Sequence, residues 1–327
     1  VSKPAGDAHT HQHTRVAPSL HHQRLDVAIA QSFDLSRAQA AKLIKDGLVR
    51  VQDQIITRPS HKVEADDLLS IPAPSDAADA EITLQAEAMA LEFLFESGDL
   101  LVVNKPAHMV IHPSDAHTES TLVHAALHHA PEIAAHGEAH RPGIVHRIDK
   151  ETSGVVAIAR SARAFEDLTA AFAQQRPERT YLALCAHTHG DGLADHGTIE
   201  TLHGRSPNDR RRYSGKHGHR TAITHYRVLE RFPEGALLVE CRLQTGRTHQ
   251  IRMHMREQGT PIIGDTLYGP ATVERFPVID RTALHAVSLG LDLPWLGARV
   301  FEAPLPQDFL DAMEKLRQGP PYAPVGF

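Results

Sequence analysis

The stretch RPGIVHRIDKETSGVVAIAR, residues 141–160, holds two side chains that could do chemistry together. In an extended segment alternate residues face one side, so Arg147 and Asp149 point together and Ile148 points into the core. A carboxylate on a short loop ahead of the apolar run VVAIA can act as a nucleophile or a general base. The same local pattern serves a structural Asp–Arg pair at a strand end equally well. Three other chemistries fit less closely. Ser153 with His146 would suit a hydrolase, but ETSGV is not the Gly-x-Ser-x-Gly elbow. His249 and His254 lie five apart on a predicted helix, a poor match to the i, i+4 spacing that puts two metal ligands on one face. No Gly-rich loop ends in Gly-Lys-Ser/Thr to cradle a phosphate.

The elements that must hold these residues follow from periodicity. Residues 1–19 are polar, with little to bury, and read as a disordered tail; its His9, His11 and His13, with His21 and His22 beyond, lack the fixed geometry a metal site needs, so no metal is expected. Residues 20–71 read as a compact module. RLDVAIAQSF has helical spacing at Leu25, Ile29 and Phe33. SRAQAAKLIKDG is a second helix, capped by Ser36 and stopped by Gly47. LVRVQDQIIT and DDLLSIP are short strands. Residues 72–90 carry four acids, no Lys or Arg, and Pro72 and Pro74, and read as a linker.

From 91 onward strands and helices alternate. DLLVVNKP, GVVAIAR and TYLALCA are strands, and STLVHAALHHA is a helix with a Ser cap. ARAFEDLTAAFAQQ is an amphipathic helix. TAITHYRVLERF and ALLVECRLQ form a strand pair joined through PEG. THQIRMHMREQG is a helix stopped by Gly259, and TALHAVSLGLDLP is a late strand. Several strands are hairpin-linked, which predicts an α+β fold: a mixed, largely antiparallel sheet domain over 91–327 behind a small N-terminal α/β module.

Composition sets outer bounds. The 327 residues suggest two domains. No apolar run nears the about 20 residues needed to span a bilayer, and the first residues lack the apolar core of a secretory signal. Cys185 and Cys241 sit far apart in strand-like segments, as reduced core residues of a cytoplasmic protein. The absence of a long apolar interface segment predicts a monomer. The net charge of -6 does not mark a polyanion binder, but residues 205–220, RSPNDRRRYSGKHGHR, hold six Lys or Arg against Asp209 alone. Such a patch is either a solvated loop or a site for nucleic acid.

Several separated segments, in order, carry a family resemblance. HRIDKETSG resembles the His-Arg-Leu-Asp-x-x-Thr-Ser-Gly motif of the RluA/RluD-type pseudouridine synthases. LLVVNKPAHMVIHP, RTYLAL, LQTGRTHQIRMHMREQGTPIIGDTLYG and ALHAVSL resemble the family's other motifs, over about residues 91–314. RLD, SRAQAAKLIKDGLVRV and DLLSI resemble an S4 RNA-binding domain. Four positions depart from the patterns: Ile148 replaces Leu, Arg179 stands where Lys is frequent, and His108 stands where Gly is common. The turn Gln52-Asp53-Gln54 replaces Asn-Gly.

The resemblance implies an enzyme that turns uridine in RNA into pseudouridine without metal or other cofactor. It makes Asp149 the catalytic carboxylate, Arg252 its ion-pair partner and Tyr181 the residue that stacks on the base. Arg147 becomes the side chain that fills the stack after the base is flipped out. Lys105, Arg211 and Arg212, with Arg24, Arg37, Lys42 and Lys45 of the S4-like module, are candidate RNA backbone contacts. His249 and Gln250 are expected to shape the helix start beside Arg252. The implied partner is large-subunit ribosomal RNA, with helix 69 as the first candidate and tRNA as the second. An RNA-binding assembly factor without essential turnover is the alternative class.

Overall fold

The computed structural model describes residues 11–33, 35, 37–72, 84–113, 117–187 and 192–321. The chain divides into two compact units, Val1–Ile82 and Thr83–Phe327.

In the first unit, helices α1 (Leu25–Ser32) and α2 (Arg37–Lys45) pack on a four-stranded sheet. Its strands are β1 (His11–Arg15), β2 (Arg50–Val51), β3 (Gln54–Ile55) and β4 (Leu68–Pro72), in the order β1-β4-β2-β3. Leu25 and Ile29 of α1, Ile44 of α2 and Leu69 of β4 are fully buried together. The expected disordered tail is therefore too long. Residues His11 to Arg15 pair antiparallel with β4, and Val16 and Leu20 enter the core, because β4 would otherwise leave an open edge. His9 and Ser36 lie outside the described residues. His21 and His22 each turn Nδ1 to Glu64, at 3.2 Å. The Gln52-Asp53 turn between β2 and β3 has positive φ at both residues, 48° and 64°. It is the hairpin turn that Asn-Gly usually makes, built here from other residues.

The second unit carries the strands β5 (Glu92–Glu96), β6 (Leu100–Lys105), β7 (Ser153–Ala159), β8 (Glu178–Ala186) and β9 (His196–Arg205). They continue with β10 (Tyr213–Ser214), β11 (Arg220–Arg231), β12 (Ala236–Leu243), β13 (Leu284–Leu293) and β14 (Gly297–Glu302). These ten form one sheet in the order β10-β9-β11-β12-β8-β13-β7-β6-β5, with β14 on β13. Among the described residues only β7 and β13 pair in parallel, so the fold is α+β with a mixed, largely antiparallel sheet, as expected. Its helices are α3 (Leu122–His129), α4 (Ala162–Ala173), α5 (Gln250–Glu257), α6 (Pro270–Arg275) and α7 (Gln307–Gln318).

Alternation along β6 builds both cores. Leu101 and Val103 join Leu122, Val123 and Ala126 of α3 on one face. Leu100 and Val102 join Ala164, Leu168 and Ala171 of α4 on the other. β7 is covered on both sides and reads as a continuous apolar run for that reason. Two local expectations change. The cap of α3 is Thr121, whose N–H donates to His124 Nδ1 at 3.2 Å, rather than Ser120. Ser120 instead donates from its N–H and its hydroxyl to Glu87, at 3.0 Å each. Glu87 and the partly buried Leu84 thus fasten the second half of the expected linker to this unit.

Candidate active site

Asp149 lies in the loop that feeds β7. Its backbone carbonyl accepts from Thr152 N–H at 3.1 Å, closing the turn. Ile148 is buried among the core residues, Arg147 is exposed and Asp149 is half-buried, and all three line a cleft of about 390 Å³. Burial alternates over these three residues, and the volume falls in the range of small-molecule pockets, about 300–1,000 Å³. Tyr181 of β8 and Arg252 of α5 line the same cleft. Next to Tyr181 the pairing of β8 with β13 shifts register between Ala286 and Ser288, a bulge of the kind that re-aims side chains beside sites.

Arg252 is the centre of the arrangement. Its Nη1 donates to Asp149 Oδ2 at 3.1 Å. Its Nε and Nη2 donate to the two oxygens of Asp265, at 2.7 and 3.0 Å. Asp265 is fully buried, and its Oδ1 also accepts from Leu267 N and Tyr268 N, at 3.0 and 2.9 Å. Burial opposes the Arg252 charge, but the Asp265 hydrogen bonds and the two carboxylates outweigh it and raise the guanidinium further. A fixed cation thus faces one oxygen of Asp149. Among the described residues the other oxygen, Oδ1, accepts no hydrogen bond.

Tyr181 and His249 also line the cleft, with Tyr268 behind His249. Burial pushes the Tyr181 phenol up to about 12, so it is neutral at physiological pH; Arg179 lowers it and Asp149 raises it. His249 Nε2 stands 4.0 Å from Asp149 Oδ2, and its Nδ1 stands 3.1 Å from the Tyr268 hydroxyl. Gln250 ties the start of α5 to the sheet. Its Oε1 accepts from Arg247 N and the Thr245 hydroxyl, and its Nε2 donates to Ile223 O.

The cleft is strongly basic. Arg141, Arg147, Arg179, Arg247 and Arg252 line it, and Asp149 is the one acid among its lining residues. That is a polyanion site on a chain of net negative charge. Thr152, at the cleft wall, is almost fully buried, and its hydroxyl has no hydrogen-bond partner among the described residues.

Asp149, Tyr181, Arg252 and Arg147 therefore come together from segments that span more than a hundred positions of the sequence. Lys105 does not fit its expected role as an RNA contact. It is fully buried, and its ammonium donates to the carbonyls of Pro106, Met109 and Lys150, at 2.6, 2.9 and 3.2 Å. Arg24 and Arg37 are largely committed to the buried Asp26, at 2.9 and 3.1 Å, while Lys42 and Lys45 are exposed and unencumbered by any ion pair among the described residues. Arg211 and Arg212 are exposed or half-exposed and both approach Asp209.

The alternative chemistries also find their answer. Ser153 bonds to the buried His285 at 2.9 Å, whereas His146 accepts from Ala157 N, so the two form no nucleophile–base pair. His254 is buried against Thr201 and Thr224 while His249 faces Asp149, so they share no ligand position. Asp265 and Tyr268 carry no role legible from sequence, although both lie in the GDTLYG ending that resembles the family.

Comparison with known proteins agrees with this geometry. A sequence model of the family described as RNA pseudouridylate synthase matches residues 99–257, and one of the S4 domain matches residues 23–69. An uncharacterized RNA pseudouridine synthase of Bacillus subtilis is 40% identical over 298 residues, which is 90% of this chain and 95% of that protein. A ribosomal large subunit pseudouridine synthase D of Pseudomonas aeruginosa is 38% identical over 311 residues, 90% of this chain and 92% of that protein. Among solved structures, human RNA pseudouridylate synthase domain containing 1 superposes with a TM-score of 0.55 at 26% identity, over 68% of this chain and 86% of that one. The chain belongs to the RNA pseudouridylate synthases, isomerases that convert uridine in RNA to pseudouridine, and carries an S4 domain at its N-terminal side.

Proposed function

We propose that this synthase modifies uridines of large-subunit (23S) ribosomal RNA, with Asp149 as the catalytic carboxylate and Arg147 as the side chain that replaces a flipped-out base. The reading rests above all on Asp149 Oδ2 being held by Arg252 at 3.1 Å in a cleft lined by five arginines. The relatives named for the large ribosomal subunit support the choice of RNA, and helix 69 is the first candidate region.

The reaction breaks the N1–C1′ bond, turns the uracil, and forms a C5–C1′ bond. The proton leaves C5, and N1 of the product carries one. A carboxylate with one oxygen anchored suits attack on the nucleotide or removal of a sugar proton. A uracil in a stem must leave the stack to reach it. Arg147, exposed at the cleft rim, is long and planar enough to occupy the gap and hold a phosphate. Tyr181, neutral and buried in the wall, offers its ring face to the base.

Asp149→Asn tests the carboxylate. The expected outcome is a folded protein that binds rRNA but releases no tritium from uridine labelled at C5. Turnover in that variant would sink the mechanism. Carbodiimide mapping of rRNA and tRNA from cells with and without the protein tests the substrate. A lost tRNA site with an unchanged large subunit would replace the RNA assigned here.

A further inference from the structure

His249 stands beside Asp149 and has no part in the scheme above. It begins α5 with a left-handed backbone, φ 55°, a conformation that a side chain other than Gly adopts at a cost. That backbone turns the ring so that Nε2 faces Asp149 Oδ2 at 4.0 Å and Nδ1 faces the Tyr268 hydroxyl at 3.1 Å. Tyr268 is itself fixed. Its ring is buried, Arg252 lies 5.2 Å from the ring centre, and its oxygen accepts the backbone N–H of Tyr213 at 2.7 Å.

Hydrogen-bond direction then carries an inference. A backbone N–H can only donate, so the Tyr268 oxygen spends acceptor capacity on Tyr213. Its own proton is free to go to His249 Nδ1. An imidazole that accepts at Nδ1 carries its proton at Nε2, on the side of Asp149. Burial disfavours a second proton on the ring. We propose that His249 is a positioning residue for Asp149. Its Nε2–H, set by the Tyr213–Tyr268 chain, closes on Oδ2 when the nucleotide enters, and with Arg252 it keeps Oδ1 turned to the substrate. The inference rests on the assignment of Asp149 as the catalytic carboxylate.

The test compares two substitutions of His249. Asn accepts the left-handed backbone and can reach Tyr268, but it has no donor at the place of Nε2. Gln carries its amide nitrogen to about that place. The assay is tritium release from C5-labelled large-subunit rRNA prepared from cells that lack the protein. The expected result is that His249→Asn lowers kcat about tenfold or more with KM within about twofold, and that His249→Gln recovers much of the loss. Nitrogen NMR of the free protein should show the Nε2–H tautomer of His249, and Tyr268→Phe should convert it to a mixture while lowering kcat. Wild-type kcat in His249→Asn, equal losses in the Asn and Gln variants, or a proton on Nδ1 in the wild type would overturn the proposal. Asp149→Asn is assayed in parallel. Turnover there would remove the catalytic assignment itself, whereas an inactive Asp149→Asn beside a fully active His249→Asn would remove only the role of His249.

Discussion

Arg252 serves two carboxylates of different kinds. Asp265 is fully buried and grips it with both oxygens, and Asp149 is partly exposed and touches it once. Their removal should therefore differ. Asp265→Ala leaves a buried guanidinium with a single remaining carboxylate, and the loss of stability is expected to be about 3–5 kcal/mol by urea unfolding. Asp149→Asn should cost about 1 kcal/mol, because the amide oxygen can still accept from Arg252 and Asp265 still offsets its charge, while abolishing activity. Asp149 and Arg252 stand out in the sequence only through the family resemblance, since the local pattern at Asp149 serves a structural ion pair equally well. Asp265 does not. Its charge is spent inside the protein, on a partner thirteen positions back, and no local pattern reports that.

The loop that carries Asp149 is an element held by cations beneath it. Lys105 at the end of β6 donates to the carbonyl of Lys150, and the buried Arg281 donates to that of Glu151 at 3.2 Å. Just beyond, Gly154 opens β7 with φ 116°, where a Cβ would collide with the Ala286 carbonyl of the parallel neighbour β13. Only Gly fits so close an approach of two backbones. Lys105→Met should strip three carbonyls of their donor and destabilise the loop by at least about 1–3 kcal/mol. It should also change the response to pH. Burial lowers the Lys105 ammonium to about 7, against a nearby Asp149 that raises it. Between about 7 and the ordinary 10.5 the unfolded chain binds more protons than the folded one, so this group's share of stability rises with pH across that window. Urea midpoints at pH 7 and pH 9 should show wild type gaining relative to Lys105→Met. A constant difference would mean that Lys105 keeps its proton throughout. His108 belongs to the same loop system. It stands where the family commonly has Gly and adopts φ 64°, with its Nδ1 2.9 Å from Glu151. The departure seen in the sequence is therefore a side chain tolerating a glycine backbone.

At the scale of the whole molecule, net charge and local charge point in opposite directions. The chain is negative overall, yet the cleft is lined by five arginines against one carboxylate. In the N-terminal unit, Lys42 and Lys45 of α2 are exposed, while Asp26 is engaged by Arg24 and Arg37. Binding to RNA should weaken steeply with salt, since each neutralised phosphate releases counterions. The double variant Lys42→Gln, Lys45→Gln should lower rRNA affinity and reduce the salt slope by roughly 1 for each phosphate no longer neutralised, with unchanged thermal unfolding. Filter binding across a salt series measures both. The corresponding change at Arg24 should act through Asp26 and lower stability too.

The sequence alone determined the α+β class and the order of helices α1 to α5 and of strands β2 to β4, β6 to β8 and β11 to β13, but not β1, β5, β9, β10, β14, α6 or α7. These depend on period, punctuation and residue type, which are local properties of a chain. It misjudged the N-terminal tail, since polar residues at 11–15 become a strand only because β4 offers an edge to pair with. It misplaced Lys105, since a lysine at a strand end looks like a surface charge until the carbonyls that surround it are known. Tertiary structure alone decided that Arg252 is shared between Asp149 and Asp265, that Tyr268 and His249 stand beside them, and which oxygen of Asp149 Arg252 holds. Those facts are distances between residues far apart in the chain, and only folding sets them.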